Sequence, residues 1–381
     1  MVNEVIPNQM PSNDKTQDSL KAAAKAWRLP YWDWAVNNEV PLLAQDKEIE
    51  VFTKFGIGKI RNAMYQYNLP EGKTFGTMGP TSNQTYVLTS ADRFPWELPV
   101  ATGRCSPSFS ADANAFQAGT VDNDQVATNI RNTAWYDRDI NDPTLRESVY
   151  RLLTYDVPYE VFATTNLYPG TAEPEGYLNC EYIHNNVHNW VGGDAGQMGD
   201  VPVAAYDPIF FLHHCVRDWM QLGYSYPELQ PWKYETTEDY LLSLNTDIAR
   251  LYRVTADHIS DVWGRRAGTH IVHSDYVVNV RYGKYDLGGL PYIVRLYLRR
   301  KGSHDEDESA ARLPRASSIG SVYNFSTATG PQGTNTRCAN CAAQQAKGTL
   351  STAQIPITSF LLKIAGEYSW PGDTMVPGAR V

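Results

Sequence analysis

Helix-type and strand-type patterns are segregated along this chain. The alanine-rich run 20–27, which Asp18 or Ser19 can cap and Pro30 ends, predicts a short helix. From Asp142 to Tyr155, Leu145, Val149, Leu152 and Leu153 make the one-sided stripe of a helix packed on a core. Two more helices are predicted. One runs through 181–191 and ends at Gly192-Gly193; the other has Asp207 as N-cap and Pro208 at the first helical position. Residues 40–125, rich in Gly, Pro, Thr and Asn without a 3.6 period, read as irregular covering structure. YWDW at 31–34 is too aromatic for a surface loop. From about Trp232 the period shortens. YVVNVRY (276–282) and YIVRLYL (292–298) predict a hairpin joined through Gly288-Gly289, and GSVYNFS (320–326) and IPITSFLL (355–362) continue a β-rich region. HDEDESAAR (304–312) reads as a polar loop.

Length and charge narrow the class. The 381 residues allow two domains, placed at 1–231 and 232–381, and 42% hydrophobic content suffices for packed cores. A net charge of −9, with one dense basic run at Arg299-Arg300-Lys301, argues against nucleic-acid binding. No stretch has signal-peptide character or transmembrane length, so no membrane partner is expected. Five cysteines do not describe a disulfide scaffold, which points to an intracellular, cytoplasmic location.

The histidines carry the chemistry. Four of the eight fall between His184 and His214, and none precedes them. His184 and His188, four apart, share a helix face, and His213-His214 stand one turn before Asp218 on the next helix. That is a three-imidazole metal site, and neutral imidazole suits copper and zinc alike.

H-N-x-V-H-x-W-x-G-G from His184, followed by D-P-x-F-x-x-H-H-x-x-x-D from Asp207, resembles the second copper motif of the fungal tyrosinase and polyphenol oxidase family, the type-3 copper proteins. LPYWDW (29–34) resembles the segment after the first copper motif. The resemblance implies a mainly α fold: a tyrosinase-type helical core with long loops, holding the second-motif helix pair and lacking the first, followed by a β-rich C-terminal lid domain. It implies copper as cofactor, held by His184, His188 and His214, with His213 as a neighbour. In such proteins two coppers, each on three histidines, bind dioxygen and oxidise monophenols and o-diphenols to o-quinones. The partners implied are dioxygen and a small phenolic substrate or a peptidyl tyrosine. His258, His270, His273 and His304 all follow the second motif, where no first-motif ligand belongs. Read literally, the chain holds half of a binuclear site. The expectation is a truncated or incomplete tyrosinase; the alternatives are an inactive or single-copper protein acting in copper binding or interaction, and a mononuclear copper oxidoreductase.

Further roles follow from the same resemblance. Glu181 and Asn185 match a carboxylate and an amide that share a water able to take the phenol proton, a sensible general base. Val201 stands where the family has an apolar gate, although a loop valine reads equally well. Tyr323 or Phe325 would be the aromatic that plugs the pocket. Cys338 and Cys341 suit copper loading through Cu(I)-binding thiolates or a disulfide, and both readings stay open. The family continues its histidine pair and cysteine as N-V-D-R, where this chain has Val216, Arg217, Asp218 and Trp219, so the aspartate is kept and the asparagine and arginine are lost.

Overall fold

The computed structural model describes residues 15–26, 30–53, 56–75, 98–132, 144–155, 158–168, 170, 176–214, 234–252, 276–297, 318–327 and 339–357. Its elements in chain order are α1 (Lys15–Ala26), β1 (Glu48–Thr53), β2 (Gly56–Arg61), α2 (Ala113–Ala118), α3 (Asn123–Asn132), α4 (Thr144–Thr154), α5 (Tyr159–Ala163), β3 (Asn166–Leu167) and α6 (Cys180–Gly192). A helical segment over 209–214, α7, runs to the edge of the described residues. Then come α8 (Thr237–Tyr252), β4 (Val277–Gly283), β5 (Tyr292–Tyr297), β6 (Ser318–Asn324), α9 (Ala339–Ala346) and β7 (Leu350–Pro356). None of the described helices is long and apolar enough to cross a membrane.

The chain forms two compact units that interleave along the sequence. The first gathers Met1–Ile130, Val187–Glu235 and Phe325–Ala328; the second gathers Arg131–Asn186, Thr236–Asn324 and Thr329–Val381. Helix α6 runs unbroken through one of the changeovers.

In the first unit, long loops do most of the covering, but 40–125 is not irregular throughout. β1 and β2 pair as an antiparallel hairpin, from Glu48↔Arg61 to Thr53↔Gly56. Asp112 caps α2 through its carboxylate, which accepts from the amides of Asn114 and Ala115, and Gly119 ends it at φ 71°. Phe116 then packs with Leu69, Phe75, Ala195 and Val203. These short elements escape the 3.6 period because the helix spans fewer than two turns and the strands have a period of 2.

The polar centre of this unit is Arg104, which has no exposed surface. Its Nε donates to both oxygens of Asp207 at 3.0 Å and Nη2 donates to Oδ1 at 2.8 Å. The remaining donors reach the carbonyls of Ala44 (3.2 Å) and Met64 (3.1 Å) and the Asn123 side chain (3.3 Å). Asp207 meanwhile accepts from the Ile209 amide at 3.1 Å, so the predicted cap of α7 is also the anion of a buried bidentate ion pair. The C-terminal end of α6 is closed in the same way. Cys105 N–H donates to the Val191 carbonyl (3.1 Å), and the Cys105 thiol (3.3 Å) and the Asn129 amide (2.9 Å) donate to that of Trp190. Gly193 turns the chain out at φ 61°, where an added Cβ would stand 2.9 Å from Cys105 Cα.

In the second unit, α4 buries Leu145, Val149 and Leu152, as its stripe predicts, whereas Leu153 is exposed. Arg151 and Glu147, one turn apart and buried, pair at 2.7 Å. The expected β4–β5 hairpin does not form. β4 pairs antiparallel with β7, from Val277↔Pro356 to Gly283↔Leu350, in a sheet of order β3-β7-β4, and β5 pairs with β6. Alternation identifies a strand but not its partner. Val280 and Tyr282 bury with Ala353 and Ile355 of β7, and the link at 286–289 is a tight helical turn with Leu287 and Gly288 at positive φ, so the chain leaves the β4 sheet. HDEDESAAR, Arg299–Lys301, Asp218 and the four late histidines lie outside the described residues.

Two outcomes follow for the first unit. Arg104→Met leaves the Asp207 carboxylate buried without its cation, and urea denaturation of the metal-free chain should show a loss of about 3–5 kcal/mol; a loss under about 1 kcal/mol would show that the pair does not organise the unit. Burial, then the Asp122 and Asp194 carboxylates, push the Cys105 thiol from 9.0 up to about 12. A raised thiol value favours the protonated form in the folded state, so this group's contribution to stability is complete below pH 9 and is lost as pH rises towards 12. Iodoacetamide at pH 8 should therefore leave Cys105 unmodified until the chain unfolds, as read by peptide mass.

Candidate metal centre

Helix α6 begins where Asn179 Oδ1 accepts from the Tyr182 amide at 2.9 Å, and its two histidines follow at 184 and 188. One ring nitrogen from each of His184, His188, His213 and His214 lies within 4.8 Å of the others. His188 is fully buried, and its Nδ1 lies 2.9 Å from the Met198 carbonyl oxygen, which can only accept. Nδ1 therefore carries the proton and Nε2 presents a lone pair. That Nε2 stands 3.0 Å from Nε2 of His214. Two imidazole nitrogens held at about 2 Å by one ion, at an angle near 100°, sit roughly 3 Å apart, so the pair is spaced for a first-row metal. At His184, Nδ1 lies 3.2 Å from Asn185 Oδ1, again leaving Nε2 for a ligand bond.

His213 is built differently. The Trp34 indole donates to its Nδ1 at 3.1 Å. Indole N–H is a donor only, so Nδ1 accepts and the proton of the neutral ring is on Nε2. Neither nitrogen then has a lone pair to give, although the ring is buried edge-on to His188 (4.7 Å) and His214 (5.2 Å). The helical offset of about 100° from its neighbour does not remove His213 from the cluster; what sets it apart is that the Trp34 indole occupies its Nδ1. The donor set that remains, three imidazoles with two tautomers set by carbonyl-type acceptors, fits copper.

Aromatic rings wall the site. Phe210, one turn before His214 on α7, stacks on it with centroids 3.7 Å apart at 20°. Phe325 stacks on His188 at 4.0 Å and 18°. The YWDW segment is fixed to the same helix, since Trp32 N–H donates to the Leu212 carbonyl at 3.0 Å. Trp32 is buried, whereas Tyr31 is exposed.

Comparison with known proteins places this arrangement. Residues 14–222 match the model of the common central domain of tyrosinase. The chain belongs to the tyrosinase family. Residues 275–377 match the tyrosinase C-terminal domain. A tyrosinase from Aspergillus fumigatus is 28% identical over 93% of this chain and 66% of its own length. One from Neurospora crassa is 23% identical over 69% of this chain and 43% of its own length. The chain therefore spans less than two thirds of these relatives. Among solved structures, the holo-protyrosinase of Aspergillus oryzae superposes with a TM-score of 0.69 at 22% identity, covering 96% of this chain and 70% of that one. That likeness establishes the tyrosinase fold, a helical core with a β-containing C-terminal region.

Against this family frame, the structure brings His184, His188 and His214 together as the motif implies and adds His213 beside them. Glu181 lies one turn ahead of His184. Its Oε2 accepts from Thr164 Oγ1 and the Thr165 amide, both at 2.8 Å, and Oε1 stands 3.4 Å from Lys284 Nζ. Val201 sits half-buried in a turn. Of the two plug candidates, Phe325 supplies the ring on His188, while Tyr323 is anchored through its backbone to Asn186. Cys341 is disulfide-bonded, so a copper-loading role would require its reduction; Cys338 lies outside the described residues.

Sequence reading missed Arg104, Trp34 and Phe210 as members of the site. Phe210 was detectable from its i, i+4 spacing to His214. The other two act across more than a hundred residues and leave no local signal.

His214→Ala should remove most copper affinity, whereas His213→Ala should keep it largely intact, read by equilibrium dialysis with metal analysis. Equal losses in both variants would show that the Trp34 bond does not decide the ligand.

Proposed function

We propose that the chain is the copper-binding part of a phenol oxidase, which converts monophenols and o-diphenols to o-quinones with dioxygen. The observation that carries the reading is the convergence of the His184, His188 and His214 nitrogens within a walled, largely buried cluster on a tyrosinase-family scaffold. A monophenol and O2 give an o-quinone and water; two o-diphenols and O2 give two o-quinones and two waters. Copper, when bound, supplies Lewis-acid polarisation of the phenol oxygen and electron exchange with dioxygen.

The chain's own groups supply the rest. The flat face of His188, now covered by Phe325, is where a phenol ring would stack, with Phe210 fixing the neighbouring imidazole. Asn185 orients His184 and, with Glu181 one turn away, offers an amide and a carboxylate to a shared water that takes the phenol proton. Phe325 acts as a tethered plug, whose high local concentration excludes a phenol from solution. Small phenols and peptidyl tyrosine both fit this chemistry.

A second reading, a single-copper protein without turnover, is favoured by one observation: the described residues hold one histidine cluster. Metal analysis and quinone absorbance separate the two. The chain should bind about one copper at its histidines and oxidise 4-tert-butylcatechol weakly at most, since three ligands complete one three-imidazole set. Failure to bind copper at micromolar concentration would sink both readings. Rapid catechol turnover would overturn the single-set view.

A further inference from the structure

Helix α6 has a second buried polar face. Asn186 lies midway between His184 and His188 in sequence, and therefore about 200° round the helix from the first. It has no exposed surface. Its Oδ1 accepts from the Tyr323 amide at 2.9 Å and its Nδ2 donates to the Ser321 carbonyl at 3.3 Å. The amide thus bonds one N–H and one C=O of β6, two residues apart, as a neighbouring strand would; β5 occupies β6 along Tyr292↔Asn324 to Tyr297↔Ser318. One turn earlier, fully buried Tyr182 donates its hydroxyl to the Gln354 carbonyl in β7. Just past the clamp, Asn324 Nδ2 donates to the Lys284 carbonyl at 2.9 Å, and Lys284 Nζ reaches Glu181 in the first turn of α6.

We propose that Asn186 is the docking clamp that fixes the register of β6 and thereby sets Phe325 on His188, an autoinhibitory contact governed from the face of α6 opposite the histidines. The proposal rests on the reading of Phe325 as a plug. Physically, a buried side-chain amide that loses its partners is costly, so Asn186 selects one alignment of β6. Phe325 is two residues beyond Tyr323, and a two-residue slip would move it roughly 7 Å along the strand, well beyond a 4.0 Å ring stack. The ring itself is replaceable in this arrangement, whereas the amide decides where it falls. Asn186 is a positioning residue, since its side-chain amide bonds the main chain of β6.

Hydrogen exchange of the metal-free 381-residue chain tests this, read by mass spectrometry on the peptide spanning 318–327. Asn186→Leu, close in size, should speed exchange there about tenfold to a hundredfold while α4 keeps its protection. Added Cu(II) should then be captured about tenfold faster, followed by tryptophan quenching. Asn186→Asp, which keeps an acceptor for the Tyr323 amide, should lie between wild type and Asn186→Leu. Phe325→Ala should speed copper capture with β6 still protected. Wild-type protection in Asn186→Leu overturns the proposal, as does loss of β6 protection in Phe325→Ala, which would make the ring the docking group. If Asn186→Leu unfolds throughout, Asn186→Asp decides: faster exchange confined to 318–327 supports the clamp, and wild-type exchange overturns it. Exchange requires no copper, so histidines that bind no metal would defeat the functional reading and leave the clamp to be judged separately.

Discussion

The Arg104–Asp207 pair is the constraint on which the histidine site depends. One carboxylate ends the loop before α7, caps that helix and neutralises a guanidinium with no exposed surface. The same guanidinium holds the carbonyls of Ala44 and Met64 and the side chain of Asn123. Converging on one planar, five-donor cation, they are set relative to the start of α7, and His213 and His214 are one and a half turns away. A buried pair of this kind contributes little net stability compared with an apolar replacement, but it admits one geometry. For a metal site, geometry is what matters.

Tautomers then distinguish the four nearby imidazoles by which nitrogen each keeps free. The Met198 carbonyl makes Nε2 the free nitrogen of His188, and the Trp34 indole makes Nδ1 of His213 an acceptor. An acceptor-only partner and a donor-only partner have opposite consequences for the ring they touch. Neither operates through charge, so ionic strength leaves the choice untouched.

Helix α6 serves both faces of the problem. One side carries His184 and His188; the other buries Tyr182 and Asn186 against main-chain groups of β7 and β6. Its C-terminal carbonyls are closed by Cys105 and Asn129. A helix bonded on opposite sides and at one end has little freedom to rotate, which keeps two imidazoles in register without help from the metal. The C-terminal strands are therefore bonded directly to the helix that carries His184 and His188.

Local features of the sequence determined much of this. The i, i+4 histidines, the Asp207-Pro208 start of α7, the glycine exit from α6 and, Leu153 apart, the stripe of α4 are consequences of neighbours within one or two turns, and they appear as read. The strands after residue 276 were legible as strands. Their partners were not, because period-2 alternation says which face is buried and nothing about which edge is paired; β4 joined β7 across about seventy residues. The distinction between His213 and His214 came to the sequence only through resemblance; in the structure the two rings differ by a hydrogen bond from an indole 179 residues from His213. Arg104, Asn186 and Lys284 read as ordinary polar residues. Only tertiary structure gives them roles, because a buried charge or amide acquires its meaning from the partners that folding brings to it, and those partners are distant in the chain.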